Sequence, residues 1–259
     1  RRSSDLMSDT ATMPLEDYLA QGGLLTSPAN APARYRGELL RLMATFVDSE
    51  LAGSAGFADT INAAPGITAR IAAARITLEK CDHAERVLKL MGEFGADVGR
   101  YAIHHPWADR LPRDATLGQA RHGGDMRLAV FHYPLQGWTD AVTMNVLQGL
   151  ATDVTLGELA HVSYAPLAET FRAIAPRERR HTELGVAGLA AIVATEAGRD
   201  AARAALAYWR PKVADSFGAA NSARFATLKR FGLRHRPNEA LLADWTAEVA
   251  TALAPFGLA

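Results

Sequence analysis

The sequence has no excess of charge of either sign and no long hydrophobic run. Its 259 residues include 28 Lys or Arg and 28 Asp or Glu, so the formal net charge is zero. This balance gives no overall attraction to nucleic acid or to an anionic membrane surface. The apolar runs fall well short of the roughly 20 residues of a membrane-spanning helix, and no secretory signal is visible at the N-terminus. We therefore expect neither nucleic acid nor a membrane as a partner.

Cysteine is almost absent, since Cys81 is the single one in the chain. One cysteine excludes an internal disulfide and fits a reducing compartment, so we expect a cytoplasmic protein. We interpret Cys81 as a small core residue. Hydrophobic residues make up 49% of the chain and charged residues 22%, which is the composition of an ordinary globular protein able to bury a substantial core.

Strand-type alternation of apolar and polar residues is also lacking, whereas Ala, Leu, Arg and Glu are abundant. This pattern predicts an all-α protein. Gly53 and Gly56 are predicted to end the first long helix, and Pro176 to kink or restart a later one. The predicted helices cover approximately residues 14–21, 34–51, 67–94, 135–156, 166–196, 199–217, 221–231 and 238–253, with a crossover at 99–134 that holds at most short helices.

The order of these helices predicts the architecture. A long helix, a short loop and a second long helix are followed by a crossover and another such pair, which is the connectivity of ferritin-like bundles. We expect a single ferritin-like domain over residues 1–259, with a four-helix bundle, additional C-terminal helices and a partly irregular N-terminal arm of about 30 residues.

The four long helices carry ionisable residues on faces that should be buried. Glu50 follows Met43, Phe46 and Val47 at helical spacing, so a helix that buries those three also points Glu50 inward. A buried, unpaired carboxylate is unfavourable and needs a partner. The residues of this kind are Glu50 on the first helix, Lys80 and His83 on the second with Glu79 at the margin, Asp153 on the third, and Glu178 and His181 on the fourth.

A pair of divalent metal ions would explain such a set. In ferritin-like dimetal proteins, two helices each supply one carboxylate and the other two each supply a Glu-x-x-His pair. Residues at i and i+3 lie on one face and can reach the same metal. Glu178 and His181 form such a pair, whereas the corresponding pair on the second helix has Lys80 in the place of Glu, followed by His83.

Each residue also has a purely structural interpretation. His83 could be a hydrogen-bonded core histidine, Glu50 a half-exposed helix-end residue, and Asp153 the partner of a neighbouring arginine. We assign solvated or capping roles to four histidines of the crossover, and a solvated helix face to a run of arginines. These are His104, His105, His122 and His132, and Arg177, Arg179 and Arg180.

The chain resembles the phenylacetic acid catabolic family, specifically the catalytic subunit of ring 1,2-phenylacetyl-CoA epoxidase and, more distantly, benzoyl-CoA epoxidase. The resemblance is spread over most of the chain. It rests on Asp48-Ser49-Glu50-Leu51, on Ser163-Tyr164-Ala165-Pro166-Leu167-Ala168 followed by Glu178 and His181, on Tyr208-Trp209-Arg210-Pro211, and on Leu228-Lys229-Arg230-Phe231-Gly232.

The resemblance implies a dimetal site, typically di-iron, that activates O₂ and inserts one oxygen atom into an aromatic acyl-CoA, a small-molecule substrate. It implies that Glu50, His83, Glu178 and His181 are metal ligands. It also implies a homologous structural subunit, a reductase that supplies electrons, and assembly as a homodimer or hetero-oligomer. Our expectation is an O₂-dependent monooxygenase of this family with a divergent metal site.

Two positions depart from the family pattern and leave three alternatives. Lys80 replaces a Glu ligand, and Gly149 stands where the third helix should supply a carboxylate. Glu79 and Asp153 could substitute as ligands. Alternatively, the site holds one metal and Lys80 takes the second place. Lastly, metal is lost and Lys80 pairs with Glu50 or Glu178 in a non-catalytic structural or regulatory subunit.

Two further possibilities concern the chemistry of the site. Burial lowers the pKa of a lysine and can turn it into a base or nucleophile, so Lys80 is also a candidate catalytic residue. The chain could also be a divergent oxygenase whose substrate is not a CoA thioester.

Overall fold

The computed structural model describes residues 13–117 and 124–258. Within these residues the chain forms nine α-helices and several short 3-10 helices, and no strand, so the all-α prediction is confirmed. The α-helices are α1 (Leu15–Ala20), α2 (Ala33–Thr60), α3 (Ile67–Glu93), α4 (Val98–His104), α5 (Gly137–Leu159), α6 (Ala165–Ile192), α7 (Glu196–Asp215), α8 (Ala223–Arg230) and α9 (Asn238–Leu253).

Four long helices form the bundle that the sequence predicted. α2 packs along α3, α5 packs along α6, and the two pairs meet where α3 faces α6 and α2 faces α5. A short connection joins α2 to α3, whereas the segment from α3 to α5 crosses the bundle and contains only α4 and a 3-10 helix among its described residues. This arrangement is that of a ferritin-like bundle.

α5 is buried on most of its surface because α7 and α9 cover the side that faces away from α2 and α6. Trp209 of α7 donates its indole N–H to Asp140 of α5, and Trp245 of α9 donates to the carbonyl of Leu147. Buried indole N–H groups of this kind require a partner. Within the described residues, no helix has both the length and the apolar character needed to cross a membrane.

The predicted end of the first long helix at Gly53 and Gly56 was wrong, and the predicted restart of a helix at Pro176 is not seen. α2 continues through Gly53 and Gly56 to Thr60. A Cβ at Gly53 would lie 3.2 Å from both Lys80 and Phe131, so this glycine permits close packing inside the helix rather than ending it. α6 likewise runs through Pro176 without interruption.

The first turns of α3 lie outside the core. Ile67 and Ile71 are 78% and 54% exposed, whereas Ile76 and Val87 are buried. α3 enters the bundle only after its first turns, so the face that carries Ile71 remains on the outside. Cys81 lies on this outer surface and is exposed, which corrects its assignment to the core.

Candidate functional site

Three helices of the bundle direct ionisable side chains into its interior. α2 supplies Glu50, α3 supplies Lys80 and His83, and α6 supplies Glu178 and His181. Each of the five is at most 5% exposed. Their burial follows from the helical spacing, which places them on the same faces as core residues.

The ammonium group of Lys80 lies between two carboxylates. Its Nζ donates to Oε1 of Glu50 at 2.9 Å and to Oε1 and Oε2 of Glu178 at 3.2 and 3.1 Å. Burial lowers the pKa of Lys80, but the attraction of Glu178 and Glu50 outweighs this effect, and the pKa lies above its ordinary value. The environment therefore favours the ammonium form of Lys80. A lysine that acts as a catalytic base would instead have a lowered pKa.

His83 contacts the same two carboxylates. Its Nδ1 lies 3.2 Å from Oε2 of Glu50 and 2.8 Å from Oε1 of Glu178. Burial lowers the pKa of His83, but hydrogen bonds to Glu178 and Glu50 raise it by more than burial lowers it. The pKa therefore lies above its ordinary value. The environment therefore favours the charged form of His83.

Glu79 and His181 extend the cluster toward the surface. Nε2 of His181 lies 2.7 Å from Oε2 of Glu79, whose side chain is 27% exposed, and its Nδ1 lies 3.3 Å from Oε1 of Glu178. Burial raises the pKa of Glu178, but Lys80 and the two histidines outweigh this effect and hold that pKa well below its ordinary value. Glu178 is thus an ionised carboxylate that contacts Lys80 and His83 as well as His181.

The central residues have donor types that metals bind. One donor atom from each of Glu50, His83 and Glu178 lies within 4.8 Å of the other two, so these residues could hold a metal ion. Carboxylate oxygens and imidazole nitrogens are common ligands of iron and zinc. Lys80 already contacts both carboxylates, so a metal ion and the ammonium group would compete for the same oxygens.

The third helix of the bundle, α5, supplies no ligand at Gly149. A Cβ at this position would lie 2.4 Å from Oγ1 of Thr182 and 3.3 Å from its Cα. α5 and α6 therefore approach each other too closely for a side chain. Asp153, one turn later, has its Oδ1 3.9 Å from Nε of Arg179 and is 24% exposed. Among the described residues, the cluster of Glu50, His83 and Glu178 that could hold a metal ion includes neither Asp153 nor Glu79.

A second buried cluster lies where the crossover meets α2, and the sequence did not predict it. Nε2 of His105 lies 3.1 Å from Oδ2 of Asp48 and 3.5 Å from Oδ1 of Asp125. Tyr101 donates its hydroxyl to Asp48, and Nε of Arg127 donates to Asp125 at 2.7 Å. A solvated role for His105 is therefore wrong, because its side chain is 7% exposed, whereas the alternative capping role is confirmed, since His105 is the C-cap residue of α4.

The remaining crossover histidines have different outcomes. His104 is exposed, as predicted, and His132 is half-buried. His122 lies outside the described residues. No spacing in the sequence connects His105 with Asp48, since the contact depends on the path of the crossover over α2.

A cavity of about 380 Å³ lies beside the central cluster, between α2, α5 and the C-terminal helices. Glu50 and Gln148 line it at positions that are 4% and 8% exposed, and Arg41 lines it at an exposed position. Its walls are mainly apolar. They include Phe46, Leu128, Phe131, Leu156, Leu159, Phe225 and Leu228.

Comparison with known proteins supports the resemblance that the sequence suggested. The chain matches the family model described as phenylacetic acid catabolic protein over residues 14–259. A search of curated proteins found no match to the chain. The family match includes every helix of the bundle and all residues of the central cluster. The chain therefore belongs to the family of phenylacetic acid catabolic proteins.

Proposed function

We propose that this chain is a non-catalytic subunit of an oxygenase of phenylacetic acid catabolism, in which Lys80 has replaced bound metal. The observation that supports this most directly is the position of Nζ, within 3.2 Å of one oxygen of Glu50 and both oxygens of Glu178. An ammonium group there supplies the positive charge that buried carboxylates require.

The central carboxylates have a positive partner without a metal ion. Nζ of Lys80 forms ion pairs with Glu50 and Glu178, and Nδ1 of His83 contacts the same two carboxylates. A divalent ion would bring two further positive charges beside the buried ammonium group, and burial of uncompensated charge is strongly unfavourable. Binding would therefore require Lys80 to lose its proton or to move away.

The residues do not fit a dimetal centre. Of the six ligand positions of the family, one carries Lys80 and another carries Gly149, where Thr182 fills the space of a side chain. Asp153 is oriented toward Arg179, and Glu79 contacts His181 rather than the central carboxylates. We therefore assign no metal-dependent step to this chain. Lys80 on α3 instead stabilises the bundle through its ion pairs with α2 and α6.

A second candidate is a mononuclear site formed by Glu50, His83 and Glu178. The closeness of their donor atoms favours it. It requires Lys80 to leave both carboxylates, although its raised pKa opposes loss of the proton. The two candidates differ in metal stoichiometry, which can be measured.

The functional test uses a variant that lacks the ion pairs of Lys80. Lys80→Met combined with Glu50→Gln and Glu178→Gln removes both partners of each pair, which avoids leaving a buried carboxylate without its cation. The variant is mixed with a metal-bearing homologous subunit and its reductase, and oxygenase activity is compared with that of the unaltered complex. We expect activity to require this chain and to survive the triple change. Loss of activity in a folded, assembled complex would contradict a non-catalytic role.

A further inference from the structure

The cavity beside the cluster has a buried end and an exposed end of different chemistry. At the buried end, Gln148 is 8% exposed and Glu50 is 4% exposed. Arg41, nine residues before Glu50 on α2, is exposed, and the side chain of Arg224 is 37% exposed. This gradient of exposure makes the arginines the mouth of the cavity, and its volume falls within the usual range for small-molecule sites.

The buried end offers a hydrogen-bond acceptor that lacks a donor. Nε2 of Gln148 donates to Oγ1 of Thr152 at 3.3 Å, but Oε1 of Gln148 has no hydrogen-bond partner among the described residues. A buried amide oxygen without a donor is unfavourable. A ligand that places an O–H group at this end would supply the missing donor.

The mouth offers positive charge. Arg41 makes no hydrogen bond or ion pair through its guanidinium within the described part of the chain, whereas Arg224 is paired with Glu38 at 2.8 Å. Arg234 also lines the cavity and donates to Asn238 at 2.9 Å. An unpaired guanidinium at the entrance of an apolar cavity favours a carboxylate, which it can bind through two parallel hydrogen bonds.

We propose that the cavity binds an amphipathic hydroxy acid: a free carboxylate at Arg41, an apolar body between the aromatic and aliphatic walls, and a distal hydroxyl group that donates to Oε1 of Gln148. The apolar walls, including Phe46 and Phe131, would cover the body of the ligand. Gln148 lies on α5 and Glu50 on α2, so the ligand would bridge the two halves of the bundle. This inference is independent of the loss of metal, because binding involves neither metal nor turnover.

The test is calorimetric titration of the full chain with 10-hydroxydecanoate, decanoate and 1,10-decanediol. Loss of one hydrogen bond at Gln148 should weaken decanoate about fivefold relative to the hydroxy acid. Loss of the charged contact should weaken the diol about tenfold or more. Absence of binding of 10-hydroxydecanoate at millimolar concentration, or tighter binding of decanoyl-CoA than of the free acids, would overturn the proposal.

Two variants test which group of the ligand contacts Gln148 and which contacts Arg41. Gln148→Met should remove the preference for the hydroxyl group, so that 10-hydroxydecanoate and decanoate bind equally. Arg41→Gln should weaken both acids about tenfold and leave the diol unchanged. Arg203→Gln, at an exposed site of α7 that does not line the cavity, is the control. Unchanged affinities in folded Gln148→Met and Arg41→Gln variants would contradict the assignment.

Discussion

Nζ of Lys80 lies 2.9 Å from Oε1 of Glu50, a residue thirty positions earlier in the chain and on the neighbouring helix. The same ammonium group contacts both oxygens of Glu178 on α6. One cation therefore connects three helices at the point where they approach the bundle axis. In a dimetal member of this fold the ions themselves make such connections, and here a side chain does so.

Removing the ammonium group should destabilise the protein strongly. Lys80→Met keeps most of the side-chain volume but leaves Glu50 and Glu178 buried without their cation. Breaking a buried ion pair by removing one partner typically costs about 3 to 5 kcal/mol, and we expect a loss of that size in the free energy of unfolding measured with urea.

The control for this change is Lys89→Met on the same helix. Lys89 pairs with Glu85, and both side chains are more than 60% exposed. Exposed pairs contribute about 0 to 1 kcal/mol. Equal stability of Lys80→Met and the unaltered protein would show that the ion pairs of Lys80 do not stabilise the bundle.

Replacing the lysine by a carboxylate should create a metal site. Lys80→Glu restores the Glu-x-x-His pair with His83 and places three carboxylates together in the interior. Such a concentration of negative charge requires protonation or a cation. We expect the variant to bind about one divalent ion per chain after anaerobic reconstitution with Fe²⁺, and Lys80→Gln, which removes the cation but adds no charged ligand, to bind it more weakly. Failure of Lys80→Glu to take up metal would count against Lys80 as the group that excludes it.

Adding a single methyl group to α5 should separate it from α6. Gly149→Ala places a Cβ 2.4 Å from Oγ1 of Thr182, and such overpacking typically destabilises by about 1 to 3 kcal/mol. Thr182→Ala in the same chain should restore most of the loss. The control is Gly157→Ala on the same helix, where a Cβ would meet nothing within 4 Å. There we expect a stabilisation of about 0.5 to 1 kcal/mol, and a similar gain at Gly149 would show that the helices are not in tight contact.

Stability should fall as pH rises because of His105. Burial lowers the pKa of His105, but the carboxylates of Asp125 and Asp48 outweigh this effect and raise it to about 9. A group whose pKa is raised on folding contributes fully below its unfolded pKa, about 6.5, and loses that contribution as pH passes through the folded value. We expect the free energy of unfolding to decrease by an amount of the order of 1 to 3 kcal/mol between pH 6 and pH 9.5.

The comparison that isolates His105 uses its neighbour. His105→Gln should abolish most of this pH dependence, whereas His104→Gln, at an exposed position, should leave it intact. An identical pH dependence in all three proteins would show that the contact of His105 with Asp48 does not contribute.

Helical periodicity predicted correctly that several ionisable residues of α2 and α6 face the interior. Glu50, Glu178 and His181 lie on the same faces as apolar residues three and four positions away, and all three are buried. The pairing of Lys80 with Glu50 and Glu178 was one of the alternatives, because a buried lysine and buried carboxylates need one another. Periodicity could not decide among the alternatives, since that choice depends on distances between helices.

Other features depend on tertiary contacts that no local pattern records. The fit of Gly149 against Thr182 results from the approach of α5 to α6. The burial of His105 results from the path of the crossover, whose sequence has neither strand nor long helix periodicity. Gly53 lies inside α2 and does not end it, because the packing there is so close that a Cβ would lie 3.2 Å from Phe131. In each case the sequence shows the residue type but not the residue that it contacts.

The measurement that tests the central claim most directly is the metal content of the chain, determined by mass spectrometry after anaerobic purification from iron-supplemented cells. Replacement of metal by Lys80 predicts far less than one metal ion per chain, and no change in that value for Glu178→Gln. A stoichiometry near one or two that falls when Glu178 is replaced would contradict the account and favour a metal-dependent oxygenase.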